Sequence, residues 1–384
     1  MVMGVRQGES IRSVARRFGV ALSTVQFWRQ RAGDQRLERV DWSDRPCGPR
    51  NAPHRVAPQT EDLILSTRQV LKKTSDLGEY GAQAIRRQLI ESGLAPVPSV
   101  RTIGRVLERR GALDARRRQR HRPPPVGWYL PLVRAGQAEV DSFDVVDGLV
   151  IKNGPQVEVL NAISILGGLC ESWPLAGISA RSAHDLILEH WRAFGLPRYA
   201  QFDNDTRFQG AHQWADSFGR VTRLCLSLGV TPVFTVPRET GFQAAIESYN
   251  GRWQAKVWAR FEHGDLGQLQ VRSARYVQAA RLRGAERIAR APQRPAIAPD
   301  WIENLQAPLA GLVIYLRRTD QKGCVSLLGH TFEVPEHWTH RLVRCEVDLT
   351  QECIRFYSLR RRDPSDQPLL LTVPYKVPRV RFHE

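Results

Sequence analysis

The chain begins with segments in which apolar residues recur every three or four positions. One such pattern runs from 9 to 31 and is interrupted by Gly19, which suits a turn that needs positive φ. The same spacing predicts three further helices, and Ser99 is a good N-cap for the last of them; they cover residues 60–73, 81–92 and 99–111. Both regions are predicted helix-turn-helix modules, with a plain helical hairpin as the alternative for the first.

After residue 136 the pattern changes to short apolar, β-branched runs alternating with helical ones, which indicates an α/β domain. Strands are predicted at 137–145, 155–165, 168–174, 198–203 and 231–236, and helices at 181–194, 212–228, 242–262 and 266–290. From residue 311 only short strands follow, at a spacing that suggests a small β-barrel.

Segments rich in Pro and Arg separate these regions and read as linkers; they are 45–58, 115–125 and 291–308. We therefore expect a multidomain protein with two all-α helix-turn-helix modules, a central α/β core and a C-terminal small β-barrel. The predicted domains are 1–44, 59–114, 130–292 and 309–384.

The net charge of the chain indicates which class of molecule it binds. The 384 residues include 56 Lys and Arg against 39 Asp and Glu, a formal net charge of +17. Such an excess favours nucleic acid, with an anionic membrane surface as the other possibility. No apolar run approaches the ~20 residues of a membrane span, and the N-terminus lacks a signal-peptide core, so we expect a cytoplasmic protein without a membrane partner. The six cysteines are scattered, which argues against a zinc site.

Carboxylates stand out within the basic α/β region. Asp141 and Asp144 lie on its first strand, Asp203 ends the fourth, and Glu247 opens a long helix. Carboxylates on two strands and a helix of one layer can converge, and their hard oxygens suit Mg²⁺ or Mn²⁺. Two such ions could clamp the attacking and leaving oxygens of a phosphodiester.

Two choices have to be made within this set. Asp144 should point to the face opposite Asp141, and we favour Asp141 for the site. Thirty-five residues lie between Asp203 and Glu239, an interval that favours Glu239, but this residue falls in a loop after Pro237. Glu247 begins a helical run in which Ile246, Tyr249 and Trp253 would bury one face, so we favour Glu247.

These motifs, "AEVD", "FDND" and "AAIESYN", resemble those of insertion-sequence transposases of the retroviral-integrase-like (DDE) superfamily. The resemblance covers most of the chain and implies a ribonuclease-H-like core, with Asp141, Asp203 and Glu247 as catalytic and metal-binding residues. It implies Mg²⁺ or Mn²⁺, two ions expected, and strand cleavage followed by strand transfer. The sequence departs from the family at Asp205, where Gly is usual, and at the loop "RETGFQAA".

The expected partner is double-stranded DNA, both element ends and target, with a homo-oligomer on the DNA, a possible helper ATPase and a nucleoid-associated location. Candidate DNA-binding residues lie outside the predicted helical cores and in the second linker; they are Thr24, Gln26, Arg29, Arg101, Arg105, Arg116, Arg117 and Arg118. The alternatives are a DNA-binding repressor or assembly factor with an inactive core, and, more weakly, an unrelated basic nuclease.

Overall fold

The computed structural model describes residues 1–44, 56–113, 127–211, 214–239, 241–335, 338–378 and 381–382. The chain divides into two compact units, Met1–Pro58 and Gln59–Glu384. Within the described ranges the protein is a multidomain α/β protein built around one large mixed sheet. The arginines at 116, 117 and 118 fall outside these ranges.

The N-terminal unit is helical, as its apolar spacing predicts. Both predicted helices are present, and Gly19 between them has a φ of 62°. Val14 and Val25 are fully buried where the two helices pack. The helices are α1 (Val2–Arg6), α2 (Ile11–Phe18) and α3 (Leu22–Ala32), followed by a 3₁₀ turn at Leu37–Arg39.

The second helical module begins the larger unit, and its three helices match the prediction. They are α4 (Pro58–Thr74), α5 (Ala82–Glu91) and α6 (Val100–Arg109). The Ser99 hydroxyl accepts a hydrogen bond from the Thr102 amide at 3.1 Å, so Ser99 caps α6 as expected. Ile103, Val106 and Leu107 form the buried face of α6, whereas Val100 at its start is 38% exposed.

The α/β region forms one half of the sheet. Its first three strands form an antiparallel meander, and β4 and β5 then run parallel to β1. The strands are β1 (Val140–Val150), β2 (Gln156–Ser164), β3 (Cys170–Leu175), β4 (Tyr199–Phe202) and β5 (Thr231–Phe234). Because parallel strands end at the same edge, the residues that follow β4 and β5 lie side by side.

Helices cover both faces of this half. They are α7 (Pro131–Arg134), α8 (Ala180–Phe194), α9 (Thr206–Gln209), α10 (Arg220–Ser227), α11 (Ala244–Trp253) and α12 (Leu266–Ala289), with a π-helix at Gln254–Trp258. The predicted helix 212–228 begins too early, since the described residues 214–219 are not helical and α10 begins at Arg220. Gly210 and Gly219 pack backbone to backbone, and a Cβ on either would lie 2.7 Å from the other's amide nitrogen.

The C-terminal strands overturn the prediction of a separate small barrel. β6 runs parallel to β5, with Val233 opposite Ile314, and so extends the core sheet. In the described residues the sheet has nine strands in the order β11-β10-β9-β6-β5-β4-β1-β2-β3, and β7 and β8 form a separate hairpin. The C-terminal strands are β6 (Leu312–Arg318), β7 (Cys324–Leu327), β8 (His330–Glu333), β9 (Leu342–Asp348), β10 (Cys353–Leu359) and β11 (Leu369–Pro374).

The loop between α4 and α5 docks on the segment that follows α11. Lys256 donates to the Gly78 carbonyl at 2.9 Å, and Arg260 donates to the Lys72 carbonyl at 2.8 Å. Gly78 has a φ of 58°, and a Cβ there would lie 2.8 Å from the Lys256 side chain. The second helical module therefore packs on the α/β core.

Candidate functional site

The two faces of the sheet separate the acidic residues of β1. Phe143 packs with Phe202 and Trp191 on the face covered by α8. Residues an odd number of positions away, such as Val146, pack with Tyr249 on the face covered by α11. Because side chains alternate along a strand, Asp141 lies on the α8 face and Asp144 on the α11 face, so the prediction that they point to opposite faces is confirmed.

Asp141, the residue of β1 predicted to bind metal, lies in an internal ion pair. Asp141 is fully buried, and Arg294 donates to both of its carboxylate oxygens, at 2.8 and 2.5 Å. The indole Nε1 of Trp191 donates to it at 3.0 Å. Arg294 also bonds the carbonyls of Phe194 and Gly195. Asp141 is thus the internal counter-ion that ties the segment after α12 to β1 and α8.

Asp144, rather than Asp141, is the residue of β1 that lies near Asp203 and Glu247. Its carboxylate accepts a hydrogen bond from Asn250 Nδ2 at 2.6 Å, and Asn250 in turn accepts one from buried Asn161 at 2.8 Å. Burial raises the pKa of Asp144 from an ordinary value of 3.8 to about 6, and the negative charges of Asp203 and Glu247 add to the rise. Asp144, Asp203 and Glu247 are therefore electrostatic neighbours.

Asp203 is held at the end of β4 by the turn that follows it. Its carboxylate accepts the Asp205 amide at 3.1 Å, and Asn204 donates to the Thr235 carbonyl at the end of β5 at 2.7 Å. Burial raises the pKa of Asp203, while the Asp205 amide and the Arg207 guanidinium oppose that rise. The ends of β4 and β5, which lie at one edge of the sheet, thus hold the turn that carries this carboxylate.

Glu247 lies in the first turn of α11 and is exposed. The predicted buried face of this helix is confirmed, since Ile246, Tyr249 and Trp253 are at most 1% exposed. Tyr249 shares a hydrogen bond with Ser172 at 2.8 Å. These contacts hold the helix rigidly against the sheet while leaving the Glu247 carboxylate in solvent.

The competing residue, Glu239, is in the loop after β5 and is already paired. Arg318 at the end of β6 donates to it through Nε at 3.1 Å and Nη2 at 2.8 Å. The Arg361 guanidinium lies 4.0 Å from the same carboxylate. Glu239 therefore anchors its loop to the C-terminal strands, a contact that no local pattern in the sequence indicates.

The donor set suits a hard divalent cation, because it consists of carboxylate oxygens on adjacent elements of one face. Within the described ranges, however, no three His, Cys, Asp or Glu side chains already surround a common point where a metal ion could sit.

The arginines in and next to α6 fall into two classes, and the two candidate DNA-binding residues are in the first. Arg101 and Arg105 are exposed. Arg109 and Arg110 instead pair with Glu61 on α4, and Arg110 also bonds Asp62 at 2.8 Å. In the N-terminal unit Gln26 and Arg29 are exposed and Thr24 is half-buried.

Sequence reasoning missed Asn250 and Asn161. Asn250 lies three residues after Glu247, on a helix face that turns toward the sheet, and that spacing was the available signal. Asn161 faces it from β2, directly opposite Asp144 in the strand register. This cross-strand neighbour emerges only from the pairing of β1 with β2.

No protein-family model matches the chain. Among solved structures, the catalytic core domain of BIV integrase matches 37% of this chain and 80% of its own length, with 17% sequence identity and a TM-score of 0.27. That score is too low for the match to bear on fold or function. Across the described residues, no helix is both long and apolar enough to cross a membrane.

Proposed function

We propose that the protein is a DNA transposase or integrase that binds element ends and catalyses metal-dependent strand cleavage and strand transfer. The observation that carries the proposal is that Asp203 and Glu247 lie close enough to Asp144 for their negative charges to raise its pKa. A carboxyl group with a strongly shifted pKa beside two others is typical of a functional site.

The integrase-like transposases that the sequence resembles have an Asp on the first strand, an Asp after the fourth and a Glu at the start of a helix. The chain has all three, with Asp144 taking the first position instead of Asp141. A central ribonuclease-H-like core is the fold that this arrangement supports.

In this proposal Asp144, Asp203 and Glu247 hold Mg²⁺ or Mn²⁺. The bound ions would activate water or a 3′-hydroxyl for attack on a phosphodiester. The protein's own residues prepare the site: Asn250 orients Asp144, and the Asn204 bond to β5 holds the turn that carries Asp203. Relief of carboxylate repulsion is the driving force for binding the ions.

DNA binding is assigned to the two helical modules. Exposed Gln26, Arg29, Arg101 and Arg105 are available for phosphates and bases. The net charge of +17 supports the same partner. Because element ends come in pairs and both have to be held, we expect a homo-oligomer on the DNA.

The test is to incubate the full chain with its own element's terminal DNA and Mn²⁺ and to look for joined products. Asp144→Asn, Asp203→Asn and Glu247→Gln should each abolish joining and leave end binding intact. Glu239→Gln is the matched control and should join. Full joining in EDTA, or by Asp144→Asn, would refute the proposal.

A repressor or assembly factor with an inactive core is the second candidate. It is favoured by the lack of a closed three-carboxylate cluster in the described residues. This candidate predicts tight end binding by the wild type without any joined product, with Mg²⁺ or with Mn²⁺. The same incubation therefore separates the two.

A further inference from the structure

Exposed arginines collect at the edge of the sheet that carries Asp203. β5 and β6 run parallel to β4, and β9 and β10 join them as antiparallel strands. The ends of β4, β5, β6 and β10 and the start of β9 therefore share one edge. The turns at this edge carry six exposed arginines, which we call the arginine edge; they are Arg238, Arg318, Arg341, Arg360, Arg361 and Arg362.

Contacts between these turns make them one surface. Arg318, at the end of β6, bonds Glu239 in the loop after β5 and also donates to the His340 carbonyl just before β9 at 2.6 Å. The Arg361 guanidinium, in the turn after β10, lies 4.0 Å from the same Glu239 carboxylate. The loop after β5 thus touches both of the C-terminal turns.

Aromatic rings support several of these guanidiniums from below. Arg341 and Arg360 each lie 5.3 Å from the ring centroid of buried Trp338, and Arg361 lies 5.6 Å from that of buried Phe242. A guanidinium over an aromatic face keeps the N–H donors at its rim for other partners. The rings therefore hold these cations in place without neutralising them.

Positive charge on this edge exceeds what its own ion pairs use. Glu239 pairs with Arg318, Asp366 pairs with Arg360, and Asp363 accepts a hydroxyl in its own turn. Three further guanidiniums form neither a hydrogen bond nor an ion pair with any described residue; they are Arg238, Arg341 and Arg362. The arginine edge thus has donors and charge available for an anion.

Arg238 also has an unfavourable backbone conformation. The Val236 carbonyl accepts the Glu239 amide at 3.4 Å, so residues 236–239 form a turn, and Arg238 is its third residue with a φ of 59°. Gly is the usual residue where this position needs a positive φ, because it has no Cβ. A non-Gly residue held there is a sign of function, and the side chain is what Arg adds.

Resting on the proposed function, we infer that the arginine edge binds the sugar–phosphate backbone of duplex DNA running along the sheet edge past Asp203. The ends of β5, β6, β9 and β10 span about 15 Å, since neighbouring strands lie about 4.8 Å apart. One DNA strand has a phosphate about every 3.4 Å of helix axis, so this length faces roughly four phosphates. Such contacts position DNA without reading its sequence, they lie outside the helical modules, and they need no metal ion.

The experiment measures how salt changes the affinity of the full chain for a random-sequence duplex, by fluorescence anisotropy in EDTA. Arg238→Gly, Arg341→Gln and Arg362→Gln should each lower the slope of log K against log salt by about 1, and the triple variant should lower it by about 3. Arg192→Gln is the matched control and should keep the wild-type slope. Arg192 is exposed near the end of α8, at the opposite edge of the sheet, where β4 begins.

Arg238→Gly separates loss of a DNA contact from loss of structure. Because Gly relieves the positive φ, the urea midpoint of this variant should equal or exceed that of wild type while its DNA affinity falls. A lower midpoint would show that Arg238 supports the fold instead, and would remove it from the proposed surface.

The remaining outcomes separate the inference from the function. Wild-type slopes in all three single variants, or an equal fall for Arg192→Gln, overturn the inference, and joining of end DNA by the wild type in Mn²⁺ then leaves the proposed function standing. Reduced slopes in the three variants together with no joining by the wild type support the DNA surface and refute the enzyme.

Discussion

The same substitution at two positions of β1 should change stability in opposite directions. Asp144→Asn removes a carboxylate whose pKa is raised to about 6 by burial and by Asp203 and Glu247. A folded-state pKa about 2 units above the unfolded value makes the ionised group destabilising by at most about 3 kcal/mol at pH 7. Asp144→Asn should therefore stabilise the protein by up to that amount, and Asn can still accept the Asn250 hydrogen bond.

Asp141→Asn should instead destabilise the protein. It leaves the buried Arg294 guanidinium without its counter-ion, and breaking a buried ion pair costs about 3–5 kcal/mol. The melting temperature should fall by roughly 5–10 °C for a unit of this size. Asp147→Asn, on an exposed position of the same strand, should change the free energy of unfolding by no more than about 0.5 kcal/mol.

The assay is urea unfolding followed by circular dichroism between pH 4 and pH 7.5. The folded protein holds the Asp144 proton more tightly than the unfolded chain does, so this residue's contribution falls as pH rises from about 4 to about 6. The difference in free energy of unfolding between Asp144→Asn and wild type should thus be near zero at pH 4 and reach its full value above pH 6. If Asp144→Asn destabilises as much as Asp141→Asn, the environments described for the two residues are wrong.

Three further predictions follow from the contacts. Arg105→Ala should lower DNA affinity and reduce the slope of log K against log salt by about 1, whereas Arg109→Ala should mainly lower the free energy of unfolding, because it removes one of the partners of buried Glu61. Mobility shifts across a salt series check this, and equal losses of affinity would contradict it. Lys256→Ala should speed hydrogen exchange in the loop between α4 and α5 while end binding is kept, and unchanged exchange would show that the contact does not hold the loop. Glu239→Gln should make the loop after β5 more sensitive to protease without loss of joining, because its ion pair with the C-terminal strands is weakened, and an unaltered digestion pattern would count against that anchoring.

Local pattern was enough to predict most elements. The helices from α2 to α6 follow from apolar spacing and from caps such as Ser99, which act within a few residues of the chain. The buried face of α11 was predicted from Ile246, Tyr249 and Trp253 in the same way. Strand positions were also readable, because alternation and turn residues are local signals.

The pairing of strands that are distant in the chain could not be predicted from the sequence. The strands after residue 311 were predicted in place, but as a barrel of their own. Which sheet a strand joins depends on the edge it meets, and β6 meets the free edge of β5. That contact in turn brings Arg318 to Glu239, a partner 79 residues away in the chain.

The candidate site shows the same division. The sequence alone determined that acidic residues end β4 and open α11, and that Asp141 and Asp144 face opposite ways, because a strand has a period of two. It did not determine which face each one takes. That was decided by tertiary packing: α8 and Arg294 cover the Asp141 face, while α11 brings Asn250 and Glu247 to the Asp144 face. Asp141 and Asp144 look alike in sequence, because the partners that distinguish them, Arg294 and Asn250, lie more than 100 residues away along the chain.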